Sequence, residues 1–483
     1  MASKDGKHIT EKLVEEEVTE PVSPTGQYFN SSALSVCVLG VIESEIPIDD
    51  SQTITMLQEL LLPMSPRFSS IMVTDENGVK HWKRVEVNLE DHVNFPVFPA
   101  DLSPESYDGY VQNYLSKIAM EQLPQSRPLW DIHLIKYPIS SAAGMVVVKL
   151  HHAMGDGFSL MGAIFSCLKR ADDPSLPLTF PSQKTPRQEL HQTGSFSKVP
   201  RFFSMLFNTG TDFVWSLLKS SLVEDGKSPV RSAAEGVEFR PIEISTITFS
   251  LDDIRQIKAK VGGTINDVIT GIVFYGIQLF MQSSGHEVSD TQVTALILLS
   301  TRVISGYQSL KQMKEPGAKS PWGNQFGFMH VGVPLTSSNI EKVNPLDFIS
   351  QAGKTIKNKR NSLAVYLTGQ LLEFLRRIRG PEATAQYIHA TLKKTSLTFS
   401  NLIGPIEKMG IAGHPINGFY FMVVGVPQSL TVTLVSYNGK LRLAIGTEKG
   451  FINSKLLISC METAFERISE AALNKPGASR FTS

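Results

Sequence analysis

Residues 151 to 157 read HHAMGDG, two adjacent histidines with an aspartate and a glycine just beyond, in a chain of 483 residues that holds only 11 histidines. An unperturbed imidazole titrates near pH 6.5 (roughly), so it can take a proton at neutral pH and return it later. Asp156 is placed to hold the loop by pairing with a cation or with backbone amides, and Gly157 allows a tight turn. Plainer roles exist for the same residues. Asp156 serves equally as the N-cap of a following helix, and one of the histidines as a satisfied structural residue. A zinc or iron site is the rival chemistry, but no third ligand stands nearby at a recognised spacing. A serine nucleophile lacks its Gly-x-Ser-x-Gly turn.

The segments on either side decide where this group sits. GMVVVKL ahead of it is a strand pattern, and FSLMGAIFSCLKRA behind it repeats Leu160, Ile164 and Leu168 at helical spacing. The motif is therefore a strand-to-helix loop, the kind of position where ligands and chemistry gather. Further strand patterns appear at LSVCVLGVI, SSIMVTD and LWDIHLIK, with helical ones at TITMLQELL and YVQNYLSKIAMEQL. Residues 171 to 200 are rich in Pro, Ser, Thr and Gln without periodicity, which reads as a crossover linker. A second mixed half follows, with strands at STITFSL, VTALILLS, FGFMHVGVPL, SLTFSN, LTVTLVSY and KLRLAIGT, and helices near 264 to 284, 344 to 358, 362 to 378 and 451 to 471. The expected layout is a solvated arm over 1–25, an N-terminal domain over 26–180 carrying the motif, a linker over 181–235, and a C-terminal domain over 236–483. The fold class is α/β.

Composition narrows the partners. Lys plus Arg and Asp plus Glu both number 46, without a basic stripe, so nucleic acid is not an expected partner. Cys37, Cys167 and Cys460 are odd in number and each lies in an apolar segment, as reduced buried thiols do in a cytosol-facing protein. The opening twenty residues alternate charges without an apolar run, so neither a secretory signal nor an anchor is expected there. Residues 201–223 are aromatic and apolar but interrupted by Asn208, Asp212 and Lys219, which suits a helix lying in a membrane interface or packed on its own domain better than one spanning a bilayer. The apolar run after Asp267 reads as a buried core helix.

The motif resembles the HHxxxDG signature of the wax ester synthase/diacylglycerol acyltransferases, within the superfamily of CoA-dependent acyltransferases that includes chloramphenicol acetyltransferase and peptide-synthesis condensation domains. Other stretches agree: RPLWDIHLI at 127–135, TINDVITGIV at 264–273 and SNLIGP at 400–405 are similar to the family's Pro-Leu-Trp, Asn-Asp and Ser-Asn-x-x-Gly-Pro elements. The similarity runs nearly the whole chain, and the plant-type members look most alike. The Asp-Phe-Gly-Trp-Gly element of plant acyltransferases that use soluble acceptors is missing from the sequence.

The resemblance implies two chloramphenicol-acetyltransferase-like domains with mixed sheets and an active-site tunnel at their interface. It implies transfer of a long-chain acyl group from acyl-CoA, a co-substrate rather than a cofactor, to a long-chain alcohol or diacylglycerol. His152 would be the general base, His151 its support, Asp156 a structural residue gripping Arg302, and Gly157 part of the turn. Asn266 would donate to the oxyanion or place the acceptor, unless it caps its helix beside Thr264 and Asp267. Ser400 and Asn401 would line the far wall. No metal is expected. An endoplasmic-reticulum membrane, or the plasma membrane, with the active site toward the cytosol, is the implied location. A metal-dependent hydrolase, transfer to another alcohol, and a catalytically silent lipid-binding protein are the other functions compatible with these residues.

Overall fold

The computed structural model describes residues 20–76, 79–181, 223–287, 291–300, 322, 326–336, 342–360 and 364–473. Within them lie three sheets. The smallest sets β1 (Glu20–Pro21) beside β4 (Lys80–Arg84) and β4 beside β3 (Ser70–Thr74). The second, of seven strands, has its centre in β6 (Trp130–Ile135), β7 (Gly144–His151), β2 (Cys37–Ser44) and β14 (His414–Val424). Its edges are β5 (Val93–Asn94) on one side and β13 (Met409–Ile411) and β8 (Lys169–Arg170) on the other. The third runs β11 (Phe326–Gly332), β10 (Thr294–Ser300), β12 (Leu397–Ile403), β15 (Leu430–Tyr437), β16 (Lys440–Glu448), β9 (Ile242–Ser250). Both large sheets mix parallel and antiparallel pairs.

Strands β2 and β7 are buried at every residue, which explains their unbroken apolar runs: both faces are covered. One face of β7 carries Val146, Val148 and Leu150 under α4 (Gly157–Ser166), and Gly40, opposite Val148, is small because Ile164 Cδ1 lies 2.9 Å from where a Cβ would be. On the other face Lys149, 2 % exposed, donates to the carbonyls of Ile118, at 2.6 Å, and Glu121. These lie at the C-terminal end of α3 (Pro104–Met120), where a cation offsets the helix dipole. In the third sheet the long apolar helix α6 (Ile265–Ser283) is buried from Val268 to Met281, as expected for a core helix. It follows α5 (Leu251–Val261), to which it is bent by 98°. Among the described residues no single helix is long and apolar enough to cross a membrane.

The division of the chain differs from the expected one in four places, each because a contact distant in sequence wins. Strand β14 belongs by sequence to the second half yet pairs with β2 from Ile416↔Ser44 to Val424↔Cys37. Helix α8 (Ala364–Lys393), broken at Gly380 (φ 82°), likewise sends Ala385, Ile388 and Leu392 into the core of the first half. The expected arm is already structured at Glu20, where β1 begins and α1 (Pro24–Phe29) follows. The described end of the linker is also built in: Asp225 accepts from Thr294 N at 2.6 Å and from Ser396 Oγ at 2.6 Å. An ion pair crosses between the large sheets, the half-buried Arg442 of β16 gripping the buried Glu43 of β2 with both terminal nitrogens.

The three cysteines are free thiols, Cys37 and Cys460 buried and Cys167 half-buried. Burial pushes Cys37 up to about 11 and Cys167 up to about 12, so both stay protonated and inert.

Candidate active site

The seven motif residues occupy the passage from β7 into α4. His151 closes the strand, its N–H donating to Leu129 O at 3.0 Å, and His152 N–H turns to Val36 O at 2.8 Å. The Pro-Leu-Trp element therefore supplies the backbone acceptor for the first histidine. Beside it Trp130 stacks on His92 with ring centroids 4.0 Å apart, and Arg127 grips Asp131 at 2.6 Å, so this edge is rigid.

His151 has no exposed surface. Its Nδ1 accepts the Ala153 N–H at 3.1 Å, which leaves the ring proton on Nε2, 3.2 Å from Ser35 Oγ. Burial, then the adjacent His152 and Lys149, holds its pKa down to about 3, and the ring is neutral throughout the physiological range. A neutral ring with both nitrogens engaged is a brace, not a proton carrier. His152 is 6 % exposed, and the Phe29 ring lies 4.6 Å from its own at a tilt of 41°.

Asp156 is the N-cap of α4, its Oδ1 accepting from Ser159 N and Ser159 Oγ, both at 2.9 Å. The plainer of its two sequence readings is thus realised, while Arg302 lies outside the described residues. Gly157 does not make the turn. It is the first residue of α4 and is not among the glycines with positive φ; the close approach in the loop is at Gly155, whose missing Cβ would stand 2.9 Å from Ser159 Cβ. What lies opposite Gly157 is Leu402 of β12, 3.6 Å from the Cβ position, so the loop abuts the second half of the molecule.

In that second half Thr264, not Asn266, caps α6. Thr264 Oγ1 receives Asp267 N at 3.2 Å while Asp267 Oδ2 receives Thr264 N at 2.8 Å, a capping box. Asn266 instead accepts from Asn401 Nδ2 at 2.6 Å, tying the Asn-Asp element to the Ser-Asn element. Alternation along β12 puts Phe399 in the core of the second half and Leu402 against that of the first. By the same alternation Ser400 shares the inter-half face with Leu402, and Asn401 shares the opposite face with Phe399.

Three residues around the loop carry no local sequence signal. Arg67, 3 % exposed, donates from Nη1 to Met154 O at 2.7 Å and from Nη2 to Glu20 Oε1 at 2.6 Å, tying the loop to the N-terminal strand. Phe29 and Ser35 come from the segment wrapped over the motif, where Gly26 is small because Ala153 O lies 2.8 Å from its Cβ position. All of these are contacts between residues more than 40 apart in sequence. Among the described residues no three His, Cys, Asp or Glu side chains gather closely enough to hold a metal.

Two α/β halves stitched by β14, with a His-His-x-x-x-Asp-Gly loop where they meet, define a two-domain architecture of the chloramphenicol-acetyltransferase type. Solved structures agree on this fold. A wax ester synthase/diacylglycerol acyltransferase from Marinobacter aquaeolei VT8 superposes with a TM-score of 0.59 at 14% identity, over 94% of this chain and 100% of that one. The starter condensation domain of rhizomide synthetase gives 0.52 at 12% identity, over 97% of each chain. In sequence, the wax ester synthase/diacylglycerol acyltransferase catalytic domain matches residues 33–269, and the C-terminal domain of the same family matches 322–469. Wax ester synthase/diacylglycerol acyltransferase 4 of Arabidopsis thaliana is 31% identical over 91% of this chain and 87% of its own. The chain belongs to the wax ester synthase/diacylglycerol acyltransferase family, and is an acyltransferase.

Proposed function

We propose that the chain moves a long-chain acyl group from acyl-CoA to a long-chain alcohol, giving a wax ester, or to diacylglycerol, giving triacylglycerol, with His152 as general base. The carrying observation is the division of labour within the histidine pair: His151 is locked in the neutral state by Ala153 and Ser35, so proton transfer falls to His152 beside it. An alcohol of high pKa attacks only as its proton leaves. His152 takes that proton, the hydroxyl oxygen adds to the thioester carbonyl, the C–S bond breaks from the tetrahedral intermediate, and the imidazolium returns its proton to the departing thiolate. The acyl donor arrives activated, so no acyl-enzyme is needed and acyl-CoA is a co-substrate only.

The reading includes a lipid surface, on the cytosolic side of the endoplasmic reticulum or plasma membrane, because both acceptors reside in bilayers. Residues 201–222, from the segment first suspected of membrane contact, lie outside the described residues. Helix α8 offers a second candidate. One turn apart it exposes Phe374 and Ile378, at 58% and 64%, among Arg376, Arg377 and Arg379, a composition suited to an anionic interface. It packs on α1, whose last residue Phe29 touches His152.

Purified protein given labelled palmitoyl-CoA with hexadecanol or diacylglycerol tests the reaction. Product formation should fall by about 10² to 10⁴ in His152→Ala, the usual scale for losing a general base. Full activity in that variant would remove the assignment, and sensitivity to chelators would restore the metal-dependent alternative. Absence of product from wild type with both acceptors would favour a silent binding protein or another alcohol.

A further inference from the structure

The aromatic ring against His152 comes from far earlier in the chain, and backbone as well as packing holds it there. Val36 N–H donates to Phe29 O at 3.3 Å, and Val36 O accepts from His152 N–H at 2.8 Å, so a single residue sets the spacing of the two. Phe29 is 4 % exposed and ends α1, a helix that is itself fixed. Ser23 Oγ accepts from Gly26 N at 3.2 Å, Gln27 Nε2 donates to Val22 O at 3.0 Å, and the helix packs along α8. The outcome is a phenyl centroid 4.6 Å from that of the imidazole, the rings tilted by 41°. This lies inside the roughly 6 Å over which an aromatic face attracts a cation.

A neutral imidazole gains only ordinary packing from such a face, but a general base does not stay neutral. When His152 takes a proton, a cation forms at a position 6 % exposed, where burial opposes charge. The charged groups of the elements around the loop are Lys149 of β7, Asp156 of the loop, Arg67 with Glu20, and Arg376 with Glu373 on α8. Each is engaged: Lys149 with the carbonyls of Ile118 and Glu121, Asp156 with Ser159, Arg67 with Met154 O and Glu20, and Arg376 with Glu373 at 2.7 Å. Helix α1, PTGQYF, brings no charge of its own. Lys149 shares a face of β7 with His151, about 7 Å away along the strand, and opposes a proton on that ring. The same loop thus disfavours a cation on His151 and offers His152 a π face.

We infer that Phe29 is a positioning residue of the transfer reaction whose π face stabilises the imidazolium of His152 as the acceptor hydroxyl gives up its proton, which makes α1 part of the active site. This role rests on the general-base reading of His152. Phe29 forms and breaks no bond: the proton passes from the hydroxyl to the imidazole and on to the departing thiolate, and the phenyl ring acts only on the charged form between.

Replacing Phe29 by phenylalanines carrying one, two and three ring fluorines withdraws charge from the ring face in steps while nearly keeping its shape. Single-turnover transfer from palmitoyl-CoA to hexadecanol at neutral pH should slow in order of fluorine number, by about twofold to thirtyfold over the series. The acid limb of the pH profile should move down by about 0.4 to 1.5 units, because His152 then holds its proton less well. Damage to the fold alone would slow the reaction without that ordered shift. Phe29→Leu, which keeps most of the bulk and removes the π face, should match the far end of the series. An isotope-edited NMR titration of His152, its signal identified with His152→Gln, should show the same downward shift and reads the contact without turnover. A level series in rate and acid limb, losses that do not follow fluorine number, or a Phe29→Leu variant equal to wild type overturns the inference. An ordered shift of the NMR titration beside full activity in His152→Ala would instead remove the general-base reading and leave the electrostatics of the contact standing.

Discussion

Acidification should destabilise this protein well above the pH at which its carboxylates protonate, through two histidines that the fold keeps neutral. Burial lowers His151 from 6.5 to about 3 and His133 from 6.5 to about 4. A depressed histidine pKa means that the unfolded chain binds the proton more readily, so the stability is present above pH 6.5 (roughly) and is lost as pH falls below it. At pH 5 each ring would cost about 2 kcal/mol relative to pH 7.5, about 4 kcal/mol together, by proton linkage. Domains carry about 5 to 15 kcal/mol in total, so the loss is large. Carboxylates add little in that window because their unfolded values lie near 4 (roughly). Urea unfolding followed by tryptophan fluorescence at both pH values measures the difference directly. His133→Phe should remove about half of the pH dependence, although it also forfeits the bond from Tyr114 at 2.8 Å. Equal stability at the two pH values within about 1 kcal/mol would refute the reasoning, as would a His133→Phe variant with the wild-type slope.

Other outcomes follow from single contacts. Arg67→Met strands the Met154 carbonyl, which should cost about 1 to 3 kcal/mol in melting experiments and lower kcat more than KM because the loop shifts; Glu20→Gln should cost under about 1 kcal/mol, Glu20 being half-exposed. A kcat unchanged in a folded Arg67→Met would show that the loop does not depend on the clamp. At Gly418 a Cβ would press on the Glu43 carboxylate and the Arg442 guanidinium, so Gly418→Ala should lose about 1 to 3 kcal/mol by displacing this half-buried pair; melting indistinguishable from wild type contradicts this. Phe374→Glu with Ile378→Glu should abolish flotation with phosphatidylserine-containing vesicles while leaving melting unchanged, and retained flotation would place membrane contact elsewhere.

The strands and helices that could be recognised beforehand were those whose patterning is local. β6, β7, β9, β15 and β16 read as strands because alternation or β-branched runs are set by the chain itself, and α6 by its unbroken apolar face. Of the site, the motif loop and the Thr264–Asp267 region were legible for the same reason. Arg67, Phe29 and Ser35 were not, because their roles are defined by neighbours from other parts of the chain. Asn266 and Asn401 were each singled out, yet only the structure shows that they bond to each other. Nothing in the pattern of the strand HPINGFYFMVV says that it pairs across the molecule.

That exchange of β14 makes the two halves mutually dependent. Expressed alone, residues before the crossover would present β2 with a bare edge along eight residues, a template for self-association. The remainder would carry an orphaned apolar ribbon of eleven. Neither fragment is a unit that gene shuffling could move intact, because each would leave behind the strand that completes the other.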